Sequence, residues 1–187
     1  MIEGLSFNLR SLLNQCIQIF SFINNSFKCY YKIDKYYLEL IKMISTLRTI
    51  LEVFYLVSIL LLVKHYIHLF RNVVKLRREN KQSIGSTRGK LERAIRAHAN
   101  FCETAPISII LSLFLYFHNY LFFAFPSVIL LLIGRKIHSD AISNVDEDLD
   151  MRVKGMKLTL YSIYLSCLGI IFHLFQMLYY FIKLKYS

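Results

Sequence analysis

The sequence predicts an all-α integral membrane protein with four spanning helices, and three observations predict it. No Asp, Glu, Lys or Arg interrupts the 31 residues from Thr104 to Gly134 or the 25 from Leu158 to Ile182. At about 1.5 Å per helical residue, roughly 20 apolar residues cross a ~30 Å hydrocarbon layer, so both runs are of membrane length. The whole chain is 56% apolar and only 19% charged, whereas a soluble domain is about 25% charged. The net charge of +11 gathers at the borders of the apolar runs. That placement excludes a nucleic-acid-binding reading, since no polar domain surrounds the basic residues.

Residues 1–48 read as an N-terminal extension and residues 49–183 as the membrane domain. Within the extension, Leu5 to Ile23 carries Asn8, Arg10, Asn14, Gln15 and Gln18, which makes a poor span and a better interfacial amphipathic helix. A second expectation is that translation starts at Met43, leaving 1–42 out of the mature protein; a full-length intact mass would refute it. Met1 to Gly4 is not basic and no A-x-A site follows an apolar stretch, so insertion is expected to rely on the internal spans.

The first span is expected from about Thr49 to Phe70, broken by Glu52, Lys64 and two histidines. The second, Leu91 to His118, begins polar and turns apolar after Pro106, as a helix does whose first turns line an interface or a polar cavity. The third, Tyr120 to His138, follows with almost no loop. Pro126 near its start is expected to cost little, because a first helical turn has unpaired N–H groups anyway. The fourth runs from about Met156 to Ile182. Nine Lys/Arg against two acids lie between Arg71 and Arg96, while the turn around Asn119 to Phe125 has no charge. The loops 71–90 and 139–155 are therefore expected to face the cytoplasm. Lys183 and Lys185 run against that pattern.

The stretch Leu91 to Pro106, LERAIRAHANFCETAP, is the most informative. On a helix, Glu92, Arg96, Asn100 and Glu103 fall within about 80° of arc, with Arg93 beside them. Ionisable groups at that depth cost roughly 2.5 to 3.5 kcal/mol each in lipid, so they should face protein or a watery cleft. Packing alone offers one account, an ion pair from Glu92 to Arg96 with Asn100 bonding a neighbouring helix. Spacing by itself names no ligand.

Four motifs in register do more. RAIRAHANFCETAP contains Arg-Ala-x-x-Asn-x-x-Glu as Arg96, Ala97, Asn100 and Glu103; VVKLRRE ends the first span with Arg77 and Arg78. GRKIH closes the third with Arg135 and His138, and RVKGMKLT opens the fourth from Arg152. Over roughly residues 50 to 182 the sequence resembles the MAPEG family, membrane-associated proteins of eicosanoid and glutathione metabolism. The resemblance implies a four-transmembrane-helix bundle assembling as a homotrimer, with glutathione as co-substrate held in clefts between subunits near the cytoplasmic face. It implies that Arg96, Asn100 and Glu103 contact the glutathione backbone and that Arg77 or Arg78 of a neighbouring first helix meets a carboxylate. Arg135, His138 and Ser139 would line the cleft, and Arg152 would stabilise the thiolate. The implied reaction conjugates glutathione to hydrophobic electrophiles entering from the lipid bilayer and extends to reducing lipid hydroperoxides. The alternative is a non-catalytic trimeric scaffold or lipid-binding protein on the same fold.

These residue types suit that ligand. Glutathione carries two carboxylates, for which guanidinium forks offer bidentate geometry and permanent charge. A free thiol with pKa about 8.5 is mostly protonated at neutral pH, and a nearby cation lowers it by about 1 to 3 units. The chain departs from the family's third-helix motif by placing Ile142 where several members carry tyrosine. Asp140 and the acidic run Asp146 to Asp150 would oppose an anion unless paired with Lys136, Lys154 or Lys157.

The remaining signals read as structural. Cys16, Cys29, Cys102 and Cys167 lack metal-ligand spacing and are expected to be reduced core thiols. His65 and His68 lack a third ligand, so they read as snorkelling residues beside Lys64 and not as a metal pair. His98 lies opposite Asn100 and reads as a packing residue.

Overall fold

The computed structural model describes the backbone of residues 3–85 and 89–186 and the side chains of 35–85 and 89–186. All four elements are α-helices: α1 (Glu3–Glu79), α2 (Lys90–Phe117), α3 (Leu121–Ser143) and α4 (Leu149–Tyr186). Each contains a stretch long and apolar enough to cross a membrane. The protein is therefore an integral membrane helical bundle, as its composition predicts. The chain divides into two compact units, Met1–Arg48 and Thr49–Ser187. The interfacial reading of Leu5 to Ile23, and the core reading of Cys16 and Cys29, fall on side chains outside the described residues. The second unit carries the bundle and the charged motifs.

No Gly or Pro lies between Gly4 and Gly85, so nothing local stops α1 at the membrane border; it continues past Phe70 to Glu79. Its inward face reads Tyr55, Ser58, Leu62, His65 and Leu69, the alternating three-and-four spacing of a helix packed along one stripe. Snorkelling is thus wrong for His65, which is 8% exposed and bonds Ser139 Oγ through Nε2 at 2.8 Å. Position 65 lies on the packed stripe, whereas His68 lies outside it and is exposed. At the other end of the bundle Tyr55 stacks on Tyr116, centroids 4.9 Å apart, and the Tyr116 hydroxyl donates to Glu52 Oε1 at 2.6 Å. That bond gives the acid in the first span a partner.

α3 begins at Leu121, so Pro126 lies beyond the first turn, contrary to expectation. Its missing N–H would have paired with the carbonyl of Phe122, and Phe122 sits exposed at the helix start. Cys102 and Cys167 are free thiols on the outer surface, not core residues; a thiol is apolar enough to face lipid.

α4 fully buries only small side chains, while Phe172 and His173 touch the start of α3 from its edge. Its buried residues are Gly155, Thr159, Ser162, Ser166 and Gly169, a small-residue seam of the kind that lets membrane helices approach closely. Ser162 meets Ser108 of α2 at 2.5 Å. At the tightest point, a Cβ on Gly155 would stand 2.6 Å from His138 N and 2.8 Å from Gly134 O. α3 and α4 therefore touch backbone to backbone there, and that contact positions the site.

Candidate functional site

The helix ends that carry the α1–α2 and α3–α4 connections hold the charged residues. α4 starts at Leu149, about two turns before the apolar run, because Asp148 caps it: Asp148 Oδ1 accepts the backbone N–H of Met151 at 3.0 Å, satisfying one of the donors every helix start leaves open. The cap puts Arg152 in the first turn of α4 and leaves Glu147 just outside it. The Gly134–Gly155 contact brings α3 alongside, and the carbonyl of Arg152 accepts from His138 Nδ1 at 3.0 Å. A carbonyl only accepts, so the ring proton sits on Nδ1. His138 Nε2 is then left as a buried acceptor with no partner among the described residues.

A cleft of about 440 Å³ opens beside this corner, lined by Gly89, Glu92, Arg93, Arg96, Asn100, Ile142, Glu147 and Arg152. Of the residues singled out by sequence, it gathers Arg96, Asn100 and Arg152. Arg96 is exposed and holds no partner among the described residues. The Asn100 amide donates to its own helix, to Arg96 O at 3.1 Å, and binds no neighbouring helix among the described residues; its carbonyl oxygen Oδ1 is left for other partners. No ion pair joins Glu92 to Arg96 among the described residues. Ile142, at the family's tyrosine position, is 4% exposed and forms an apolar part of the wall.

The third-helix residues sit deeper. Arg135 is 1% exposed and is held from three sides: Nε donates to Thr159 Oγ1 at 2.8 Å, and Nη1 to Thr104 Oγ1 at 2.7 Å and to Asn100 O at 3.3 Å. It ties α2, α3 and α4 together directly beneath Asn100. Ser139 faces His65 between α1 and α3. Arg135, His138 and Ser139 thus support the cleft from within and do not form its walls.

Four other residues lie elsewhere on the unit. Arg77 is engaged by the following loop, donating to Ser83 O at 2.9 Å and Gly85 O at 3.2 Å. Arg78 instead lines an open groove of about 960 Å³ along one face of α1, with Lys64, His68, Arg71 and Lys75. Glu103 is exposed on α2, one turn deeper than Asn100. His98 packs on Tyr66 and Phe70 of α1, centroids 5.3 and 6.0 Å away.

Sequence reasoning noted Arg93 beside the polar face and Glu147 within the acidic run but gave neither a role in the site. Glu147 uses both carboxylate oxygens, taking Oε1 to Arg152 Nη1 at 2.6 Å and Oε2 to Arg93 Nη1 at 3.2 Å. Arg93 also donates to Ile142 O at 3.3 Å. The acidic run was expected to find lysines; Asp140 does pair with Lys136 at 3.0 Å, but the acid at the cleft pairs with arginines from two helices. Hydrogen bonding from Arg152, then from Arg93, holds the Glu147 carboxyl below the usual carboxylate range against the opposing effect of desolvation. The signal available in sequence was the Glu-Asp pair before an apolar helix, with Asp148 as its cap.

Fold and cleft together define a membrane helical bundle whose charged end converges three guanidiniums and an amide on one opening. The MAPEG family model matches residues 54–178, and the chain belongs to that family. Membership places it, at the level of the family, among membrane proteins of glutathione and eicosanoid metabolism. No curated protein matches the chain.

Proposed function

We propose that this protein is a membrane glutathione transferase that conjugates glutathione to hydrophobic electrophiles and reduces lipid hydroperoxides. The observation that carries the reading is the convergence of Arg93, Arg96, Arg152 and Asn100 on one cleft. Glutathione presents two carboxylates, an ammonium and a thiol. The guanidiniums suit the anionic groups, Glu92 on the same wall suits the ammonium, and the volume lies within the range of small-molecule sites. Arg152, near the sulfur, favours the thiolate. The sulfur lone pair then attacks the electrophilic carbon, the leaving group departs with the bonding pair, and the thiol proton goes to solvent.

Glu103 supports assembly as a homotrimer. An exposed carboxylate on α2, flanked by exposed Ile107 and Ile110 further along, costs about 3 kcal/mol if lipid covers it. A neighbouring subunit removes that cost, and Arg78 on the open face of α1 is the cation suited to reach a ligand in the adjoining cleft. The excess of positive charge between Arg71 and Arg96 supports a cleft on the cytoplasmic side. A non-catalytic trimeric scaffold or lipid-binding protein is the second reading. One observation favours it: Arg152 already holds a carboxylate.

Purified protein assayed with glutathione and a chlorodinitrobenzene-type electrophile separates the two. Thiolate absorbance with conjugate formation is expected; absence of both removes the enzyme reading.

A further inference from the structure

Glu147 bridges two helices by donating nothing and accepting twice, once from α2 through Arg93 and once from α4 through Arg152. Exposed ion pairs contribute little, but this one is not a loose surface pair. The Glu147 side chain is only 20% exposed, its backbone is fixed by the neighbouring Asp148 cap, and both of its partners line the cleft. The carboxylate therefore stands where an anionic ligand has to bind. As long as it stays, the charge of Arg152 is compensated and has little effect on a thiol.

We propose that Glu147 is the specificity-determining residue of the cleft, a resident carboxylate that only a thiol bearing its own carboxylate can displace. The inference rests on the glutathione reading of the cleft. In the exchange, the ligand's carboxylate replaces Glu147 on Arg93 and the thiolate replaces it on Arg152. Charge and hydrogen bonds are conserved for such a ligand. A thiol without a carboxylate leaves Arg93 stripped of its anion, and sites built to pair polar groups reject ligands that leave them unpaired. Arg152 is released to the sulfur only when a suitable ligand has arrived.

The test labels arginines with phenylglyoxal in the full-length protein, with peptide mass spectrometry reading Arg152, and measures binding of glutathione and of its diethyl ester by calorimetry. In E147Q, Arg152 is expected to react about tenfold faster, and the diethyl ester to bind about tenfold more tightly than to the unsubstituted protein, the effect of one charge-assisted bond. Affinity for glutathione rises with it, because both ligands displace the same carboxylate. E147D keeps the charge with a shorter reach, gives an intermediate labelling rate, and serves if E147Q does not assemble. D150N, an exposed acid in the same segment, leaves labelling unchanged. Equal labelling of Arg152 in all four proteins overturns the proposal, as does an ester that binds the unsubstituted protein as well as glutathione does. Faster labelling in E147Q with no glutathione binding by any variant supports Glu147 as the resident anion and refutes the glutathione reading instead.

Discussion

Replacing Gly155 with alanine puts a methyl group against the backbone of α3. The new Cβ would lie 2.6 Å from His138 N and 2.8 Å from both Gly134 O and His138 Cβ, where ordinary contact begins at 3.4 Å. Helix backbone cannot swing aside as a side chain can, so the two helices must part by about 0.8 Å. A separation of that size stretches the bond between His138 Nδ1 and Arg152 O from 3.0 Å, and that between Arg135 Nε and Thr159 from 2.8 Å, past the roughly 3.5 Å at which a hydrogen bond is lost. Overpacking of this kind costs about 2 kcal/mol, which lowers Tm by roughly 4–8 °C in a protein of this size. Gly169 supplies the control. A Cβ there meets Leu115 Cδ2 and Phe123 Cβ and Cγ at 3.0 Å, a milder approach than the 2.6 Å at Gly155 and one that touches side chains, so G169A should lose less than half as much. Thermal unfolding in one detergent, followed by circular dichroism, compares the two. Equal losses, or none in G155A, would refute the claim that backbone contact between α3 and α4 sets the site.

Three further outcomes rest on the same geometry. R135M should cost far less stability than R135A: methionine fills the space, and Thr104 and Thr159 keep their bonds to Asn100 O and Gly155 O, whereas alanine leaves a cavity costing about 3 kcal/mol; urea or detergent unfolding without ligand reads the difference. R152A should suppress turnover far more than glutathione affinity, and R96A the reverse, so a set of kcat and KM values in which both variants behave alike would sink the assigned roles. The depressed carboxyl of Glu147 stabilises the folded state above the usual carboxylate pKa, and that contribution is lost as pH falls through the lower folded value. The stability gap between the unsubstituted protein and E147Q should hold constant from pH 7 to pH 5 and close only below the ordinary carboxylate range; a gap that closes above pH 5 contradicts the paired geometry.

The four spans were legible because two long charge-free runs and two further apolar stretches leave a membrane protein few alternatives, and the cation-rich motifs located the charged end. Helix ends were less legible. Hydropathy marks where lipid stops and not where hydrogen bonding stops, so Leu149 to Lys154 looked like loop although Asp148 had already started the helix. Arg96, Asn100 and Arg152 were placed together by their motifs, and the structure has them on one cleft. The depth of Arg135 and Ser139 was not readable, because that depends on how closely α4 approaches, which in turn depends on two glycines in different helices meeting face to face. Glu147 was counted as local acidity because its partners, Arg93 and Arg152, lie 54 and five residues away and only the fold makes one of them a neighbour.

The seam of Gly155, Thr159, Ser162, Ser166 and Gly169 separates two requirements that most helices meet with the same residues. Most of the side chains that make α4 enter a membrane, among them Leu168, Ile171, Leu174 and Phe175, are exposed. Those that join it to its partners contribute almost nothing to its partitioning. Insertion and docking can therefore be altered independently. Outward substitutions that keep the apolar character should leave the bundle as it is, while an added carbon at Gly155 should give a helix that inserts normally and then docks less tightly.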